Sequence, residues 1–214
     1  MLELGAKFTL AFMLGSLSGS LLLGALRGVD IRTLGSGNAG GTNALRTQGK
    51  WFALGVMVID VGKGALAVLW LPAAALPGVT VDPALDREFL TYAVAMGVVL
   101  GHVYPLWFGF RGGKGAATAV GAVAIIAPQL VVPSILAWLA IIGLTGYVGL
   151  ATMGAAIGAA LYLGLTGLPG DHGLFAFAAI LAVLIVFTHR SNISRLRAGT
   201  EVRHRRWLRF PRGS

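Results

Sequence analysis

Residues 115–170 read GAATAVGAVAIIAPQLVVPSILAWLAIIGLTGYVGLATMGAAIGAALYLGLTGLPG, and none of the 56 is charged. A run that long allows several membrane crossings at about 20 residues each. A soluble fold would have to bury all of it. The rest of the chain does not help such a fold: of 214 residues, 56% are hydrophobic and only 12% charged. Soluble domains carry about a quarter charged residues. The sequence is therefore that of an all-α polytopic membrane protein, a single integral membrane domain over residues 1–214.

Outward from that run, apolar stretches recur at about 8–26, 51–76 and 89–109 before it, and 147–167 and 174–189 at and after its end. Within it, Pro128 and Pro133 bracket a break in 116–146. That segment is either one kinked helix or two short ones. Charge placement decides between them. Segment 27–50 holds Arg27, Arg32, Arg46 and Lys50 against Asp30, so it belongs in the cytoplasm. Segment 77–88 is acidic and lies outside; Arg111 and Lys114 bring 110–115 back inside. Eight of the seventeen basic residues fall between Arg190 and Arg212, again inside. An even number of crossings must then separate 115 from 189. Two half-length helices, 116–128 and 133–145, satisfy this. The expectation is a seven-helix bundle, N-terminus out and C-terminus in, with local thinning or burial around the two short helices.

There is no cysteine, hence no disulfide, thiol nucleophile or thiolate metal site. The N-terminal stretch lacks a clear small-residue cleavage site and reads as a retained first helix. The basic tail begins where a hydrophobic helix stops, so anionic lipid headgroups are its expected partner, not nucleic acid.

On this topology four polar stretches, 32–50, 110–118, 145–152 and 189–201, share the cytoplasmic face. The first contains SGNAGGTNALR, Ser36 to Arg46. Its glycines let backbone N–H groups approach a ligand. Ser36, Asn38, Thr42 and Asn43 add short donors, and Arg46 a fork suited to phosphate. A helix opening at Thr42 or Asn43 would add its dipole. The plain alternative is a connecting loop rich in turn residues. The second contains His102 and Pro105, then FRGGKGAAT from Phe110 to Thr118. It is no nucleotide P-loop, because Gly115 follows Lys114 where Ser or Thr is required. Lys114 could also be a snorkelling helix-end lysine. Asp60 and Lys63, three apart, share a helix face as an ion pair or a ligand site. The third stretch carries His189, Asn192, Arg195 and Glu201; Glu201 is placed to neutralise nearby arginines. The four histidines show no metal-ligand spacing, and no metal or cofactor is expected.

These residues resemble the bacterial membrane acyltransferases that use acyl phosphate to acylate glycerol 3-phosphate. The first motif of that family, S-G-N-x-G-x-T-N-x-x-R, is filled by Ser36, Gly37, Asn38, Gly40, Thr42, Asn43 and Arg46. A D-x-x-K-G element matches Asp60, Lys63 and Gly64. The second motif matches at His102, Pro105, Phe110, Gly112, Gly113, Lys114, Gly115, Ala117 and Thr118. The third matches at Asn192, Ile193, Arg195, Leu196, Gly199 and Glu201, with His189 in the usual histidine position. The likeness spans about 36–201. It departs where many members carry an arginine and a Ser-x-x-Ser pair: Gly146, Gly149 and Thr152 stand there.

The resemblance implies transfer of a fatty acyl group from acyl phosphate to the 1-hydroxyl of glycerol 3-phosphate. The product would be lysophosphatidic acid, the first step of bacterial phospholipid synthesis, made at the cytoplasmic face of the inner membrane. Expected partners are the two substrates, membrane lipid and other phospholipid-synthesis enzymes. Ser36, Asn38, Arg46, His189 and Asn192 are the expected catalytic residues. Gly37, Gly40, Thr42, Asn43, Lys63, His102, Gly112, Gly113, Lys114, Gly115, Thr152, Arg195 and Glu201 are the expected substrate-binding ones. A mixed anhydride needs no covalent enzyme nucleophile. The base could be His102, His189 or a substrate phosphate oxygen; no carboxylate–histidine pair is visible, which favours the substrate. A small phosphate or organic-anion transporter is the alternative, though it expects internal repeats and a midplane site. The H-x4-D acyltransferase motif is missing: Trp107 and Ser194 stand five residues after His102 and His189.

Overall fold

The computed structural model describes residues 1–166 and 172–203. Its described residues form α-helices and 3-10 turns with no strand, as the composition required. The chain divides into two compact units, Met1–Pro128 and Gln129–Ser214.

In the first unit, α1 (Leu2–Gly15) and α2 (Gly19–Leu26) occupy the expected first span but bend by 45° at a break. Then come α3 (Gly41–Gln48), α4 (Lys50–Trp70), α5 (Arg87–Val103) and α6 (Ala116–Ile126). Small residues let these helices touch backbone to backbone, as membrane helices do where lipid offers no hydrophobic drive. A methyl group on Gly101 of α5 would run into the Phe12 carbonyl of α1. One on Gly64 of α4 would meet the Thr118 carbonyl of α6, and one on Gly121 of α6 the Val61 carbonyl of α4. Outward positions such as Leu54, Val58, Leu66 and Leu69 of α4 are exposed, a face that only lipid can cover.

The first unit also carries a buried ionic clasp at the start of α1. Glu3 accepts from Lys7 Nζ at 2.8 Å and from the Arg87 fork at 2.8 and 3.0 Å, and its Oε2 takes the Asp82 N–H at 2.8 Å. Lys7 also donates to the Pro72 carbonyl at 2.8 Å.

In the second unit, α7 (Val131–Thr145), α8 (Val148–Thr166) and α9 (His172–Thr188) are long and apolar, and α10 (Arg190–Arg197) follows α9 after a 54° bend. Among the described residues, four helices are long and apolar enough to cross a membrane, or up to six if each bent pair is one span.

One expectation is corrected. Only α6, with 11 residues, is half-length. The Pro128–Leu130 3-10 turn runs straight into α7, giving an 18-residue apolar segment, Pro128–Thr145. Pro133 does not break it, because it sits in the first turn, where its missing N–H would have no partner anyway. Thus 116–146 is one short helix and one long enough to cross.

Candidate active site

The first loop is anchored from below. Ile31, Ala39 and Ala44 are buried against Leu21 of α2 and Phe52, Ala53 and Val56 of α4. Asn43, at 1% exposure, braces it from within. Its Nδ2 donates to the carbonyls of Ile31 (3.1 Å) and Leu34 (2.9 Å), and its Oδ1 accepts the Ser36 N–H at 2.9 Å. Both amide protons and the carbonyl oxygen are thus engaged within the loop, which Asn43 braces. Ser36, Thr42 and Arg46 are exposed, Asn38 is half-buried, and among the described residues their side chains make no hydrogen bond.

The glycine N–H groups are engaged within the loop too. The Gly37 N–H donates to Leu34 O and the Gly40 N–H to Asn38 O, both at 3.0 Å. The first turn of α3, which opens at Gly41, has no side-chain cap, so its N–H groups are the donors the loop leaves for an anion. The second loop repeats the pattern. Gly112 N–H goes to Val103 O (3.1 Å) and Gly113 N–H to His102 O (3.2 Å). Gly115, at φ +84, then opens α6, again without a side-chain cap. Gly112 and Gly113 are needed for space: a Cβ on either would collide with His102, the first with its carbonyl, the second with Nε2 of its ring.

The two loops meet. That same Cβ on Gly113 would lie 2.7 Å from the carbonyl oxygen of Ala39 in the first loop. Arg32 ties them further, donating through Nη1 to the carbonyls of Phe108 (2.8 Å) and Arg111 (3.1 Å). Asp30 holds the Arg32 head at 2.8 Å, and that guanidinium keeps the Asp30 carboxyl below the usual carboxylate range. Motif reading passed over Arg32; its only signal was an acid two residues away. Lys114 is half-buried beside this junction.

Beneath the second loop lies a cluster the sequence showed only in part. Asp60 and Lys63 pair at 3.0 Å, and His102 Nδ1 sits 3.0 Å from Lys63 Nζ and 3.3 Å from Asp60 Oδ1. A carboxylate–histidine pair therefore does exist. It was invisible because its members are 42 positions apart and meet only when α4 packs on α5.

The second unit brings its own two polar stretches together. A Cβ on Gly149 would lie 2.6 Å from Asn192 Nδ2, so glycine at this departure from the family pattern makes room for Asn192. Gly146 is the left-handed cap of α7 at φ +76. Thr152 donates to Val148 O at 3.0 Å and accepts from Trp138 Nε1 at 3.3 Å. Glu201 accepts from Asn192 Nδ2 at 2.7 Å and Arg195 Nε at 2.6 Å, the neutralising role expected of it. His189 is the buried N-cap residue of α10, at the bend and not in the last turn of α9, with Nδ1 at 2.7 Å from Ile185 O. The basic tail beyond Arg203 lies outside the described residues.

Residues 6–199 match the family described as glycerol-3-phosphate acyltransferase. The chain belongs to that family. Its relatives include the glycerol-3-phosphate acyltransferases of Aquifex aeolicus, 39% identical over 90% of this chain and 95% of that one, and of Symbiobacterium thermophilum, 38% identical over 95% and 96%. The fold is also that of a solved integral membrane member, PlsY, in its glycerol 3-phosphate form: TM-score 0.80, 36% identity, 94% of each chain covered. A lysophosphatidic acid form of PlsY gives a TM-score of 0.77 at the same identity and coverage. Family membership displaces the transporter reading and makes the chain an integral membrane acyltransferase.

Proposed function

We propose that this protein transfers a fatty acyl group from acyl phosphate to the 1-hydroxyl of glycerol 3-phosphate, releasing lysophosphatidic acid and inorganic phosphate. The observation that carries the reading is the junction at Gly113, where the second loop, bearing Lys114, closes on the loop that leads into α3. Relatives bearing the family name and solved forms with glycerol 3-phosphate and lysophosphatidic acid support it.

In this mechanism the hydroxyl oxygen attacks the acyl carbonyl, and the bond from that carbon to the phosphate oxygen breaks. The leaving phosphate takes the electron pair and the hydroxyl proton. Phosphate is a good leaving group, so the protein supplies orientation and charge stabilisation. Arg46 and Lys114 grip phosphate; Ser36, Asn38, Thr42 and the first-turn N–H groups of α3 and α6 surround it. Taken by itself, the second unit carries His189 and Asn192, proposed for catalysis, and Thr152, Arg195 and Glu201, proposed for substrate binding. Seven crossings with the N-terminus outside would set the loops at the cytoplasmic face of the inner membrane, as one functional domain; the family match over 6–199 supports the single domain.

The test is direct. Purified protein with radiolabelled glycerol 3-phosphate and palmitoyl phosphate should form lysophosphatidic acid without added metal. Acyl-CoA and acyl-carrier protein should not serve as donors. Turnover with acyl-CoA alone would overturn the donor assignment.

A further inference from the structure

Asp60, Lys63 and His102 lie midway along a 21-residue spanning helix and at the end of its neighbour, and are 1%, 4% and 2% exposed. Such a cluster is costly in lipid and marks function by default. Stability does not explain it, because apolar replacement of a buried ion pair is often neutral or stabilising. Nor is it fully satisfied: Asp60 Oδ2 has no hydrogen-bond partner among the described residues.

Its contacts run to three other parts of the first unit. Lys63 Nζ donates to the carbonyls of Gly15 (2.8 Å) and Leu17 (3.0 Å), at the break between α1 and α2. Asp60 Oδ1 accepts the Gly19 N–H at 3.0 Å, at the start of α2. His102 lies against Gly113: a Cβ added there would run into Nε2 of the ring and lie 2.7 Å from the Ala39 carbonyl oxygen. Nδ1 of the His102 ring faces both the Lys63 ammonium, at 3.0 Å, and Asp60 Oδ1, at 3.3 Å, so the ring is held from two sides. Its other nitrogen, Nε2, is covered by Gly113.

The geometry points to Asp60, Lys63 and His102 as positioning residues: Asp60 and Lys63 hold the His102 ring as a platform that sets the Gly113–Lys114 loop against the first loop. They act on glycerol 3-phosphate binding through Lys114, and His102 is not the general base. The inference rests on the proposed acyl-transfer reading, since its readout is that reaction.

The experiment compares wild type with Asp60→Asn, Lys63→Met, His102→Gln and His102→Asn in the lysophosphatidic acid assay, varying glycerol 3-phosphate. Each variant is also tested in a Lys114→Ala background. A silent wild type would sink the acyl-transfer reading itself. With wild type active, Asp60→Asn and Lys63→Met should raise KM by about tenfold with kcat changed only a few-fold. His102→Gln, whose amide nitrogen can reach the position of Nε2, should be milder than His102→Asn, which falls short of it. In the Lys114→Ala background the Asp60→Asn effect on KM should vanish, the non-additivity of residues acting through one another. Loss of kcat by a hundredfold or more in both His102 variants, at unchanged KM, would make His102 a chemical participant and overturn the proposal. So would kinetics that are normal per folded molecule, with only yield or thermal stability reduced, which would leave the cluster a structural brace.

Discussion

The first unit contains two buried ionic clusters, and they solve the same problem in opposite ways. Around Glu3 both carboxylate oxygens are bonded, the partners come from α1, α5 and the loop between α4 and α5, and no polar motif is near in the contacts it makes. Around Asp60 one oxygen is left over, the partners include a histidine, and the cluster ends against the Gly113 loop. The closed cluster bonds α1, α5 and the loop before α5 to one another; the open one is the cluster proposed to position the Gly113 loop. Burial alone does not separate the two, since both carboxylates are almost inaccessible; the completeness of the bonding does.

The comparison can be broken at several points. Glu3→Ala strands the buried Lys7 ammonium and should cost about 3–5 kcal/mol of stability, the scale for removing one partner of a buried pair. Unfolding followed by tryptophan fluorescence would measure it, and turnover per folded molecule should stay at the wild-type level. A loss of turnover in the folded fraction would join the clasp to the site. Gly113→Ala should do the reverse. Its methyl collides with the His102 ring and the Ala39 carbonyl, and an ångström of misplacement can lower activity about 100-fold. Turnover per folded molecule should fall far more than stability, which such overpacking lowers by about 1–3 kcal/mol; activity near wild type would show that the junction tolerates displacement.

Asn43→Ala tests the brace of the first loop. It leaves the Ile31 and Leu34 carbonyls and the Ser36 N–H without their partner, which should cost about 1–3 kcal/mol and raise KM for glycerol 3-phosphate. A KM effect with no stability change would return Asn43 to direct contact with substrate. The smallest effect belongs to Gly62→Ala, beside Lys63 in sequence. No atom lies within 4 Å of the added methyl, so stability should shift by less than about 0.5 kcal/mol and kinetics not at all. A large effect there would mean that α4 packs differently around the open cluster.

Much of the site was legible because its motifs are local. The free side chains of Ser36, Asn38, Thr42 and Arg46 were found from an eleven-residue stretch, and Glu201 from its being the lone acid in a basic tail. Two features of the loops emerge only from the structure. Glycines were read as donors to a ligand, whereas Gly37, Gly40, Gly112 and Gly113 turn their N–H groups to nearby carbonyls and matter because they have no side chain. Asn43 was read as a donor by type, while its position points it into the loop. Sequence shows which atoms a residue owns, not which of them are already bonded.

By itself the sequence determined that the chain is helical and membrane-embedded, because a long charge-free run has no other low-energy solution in a protein this poor in charge. It also determined which loops carry the phosphate-suited chemistry. Only the tertiary structure decided that Pro133 begins a turn without breaking α7, that the first span is bent, and that Asp60, Lys63 and His102 form one cluster beneath Gly113. Those outcomes depend on contacts between helices whose residues are tens of positions apart, where side-chain identity fixes what can bond and packing fixes what does.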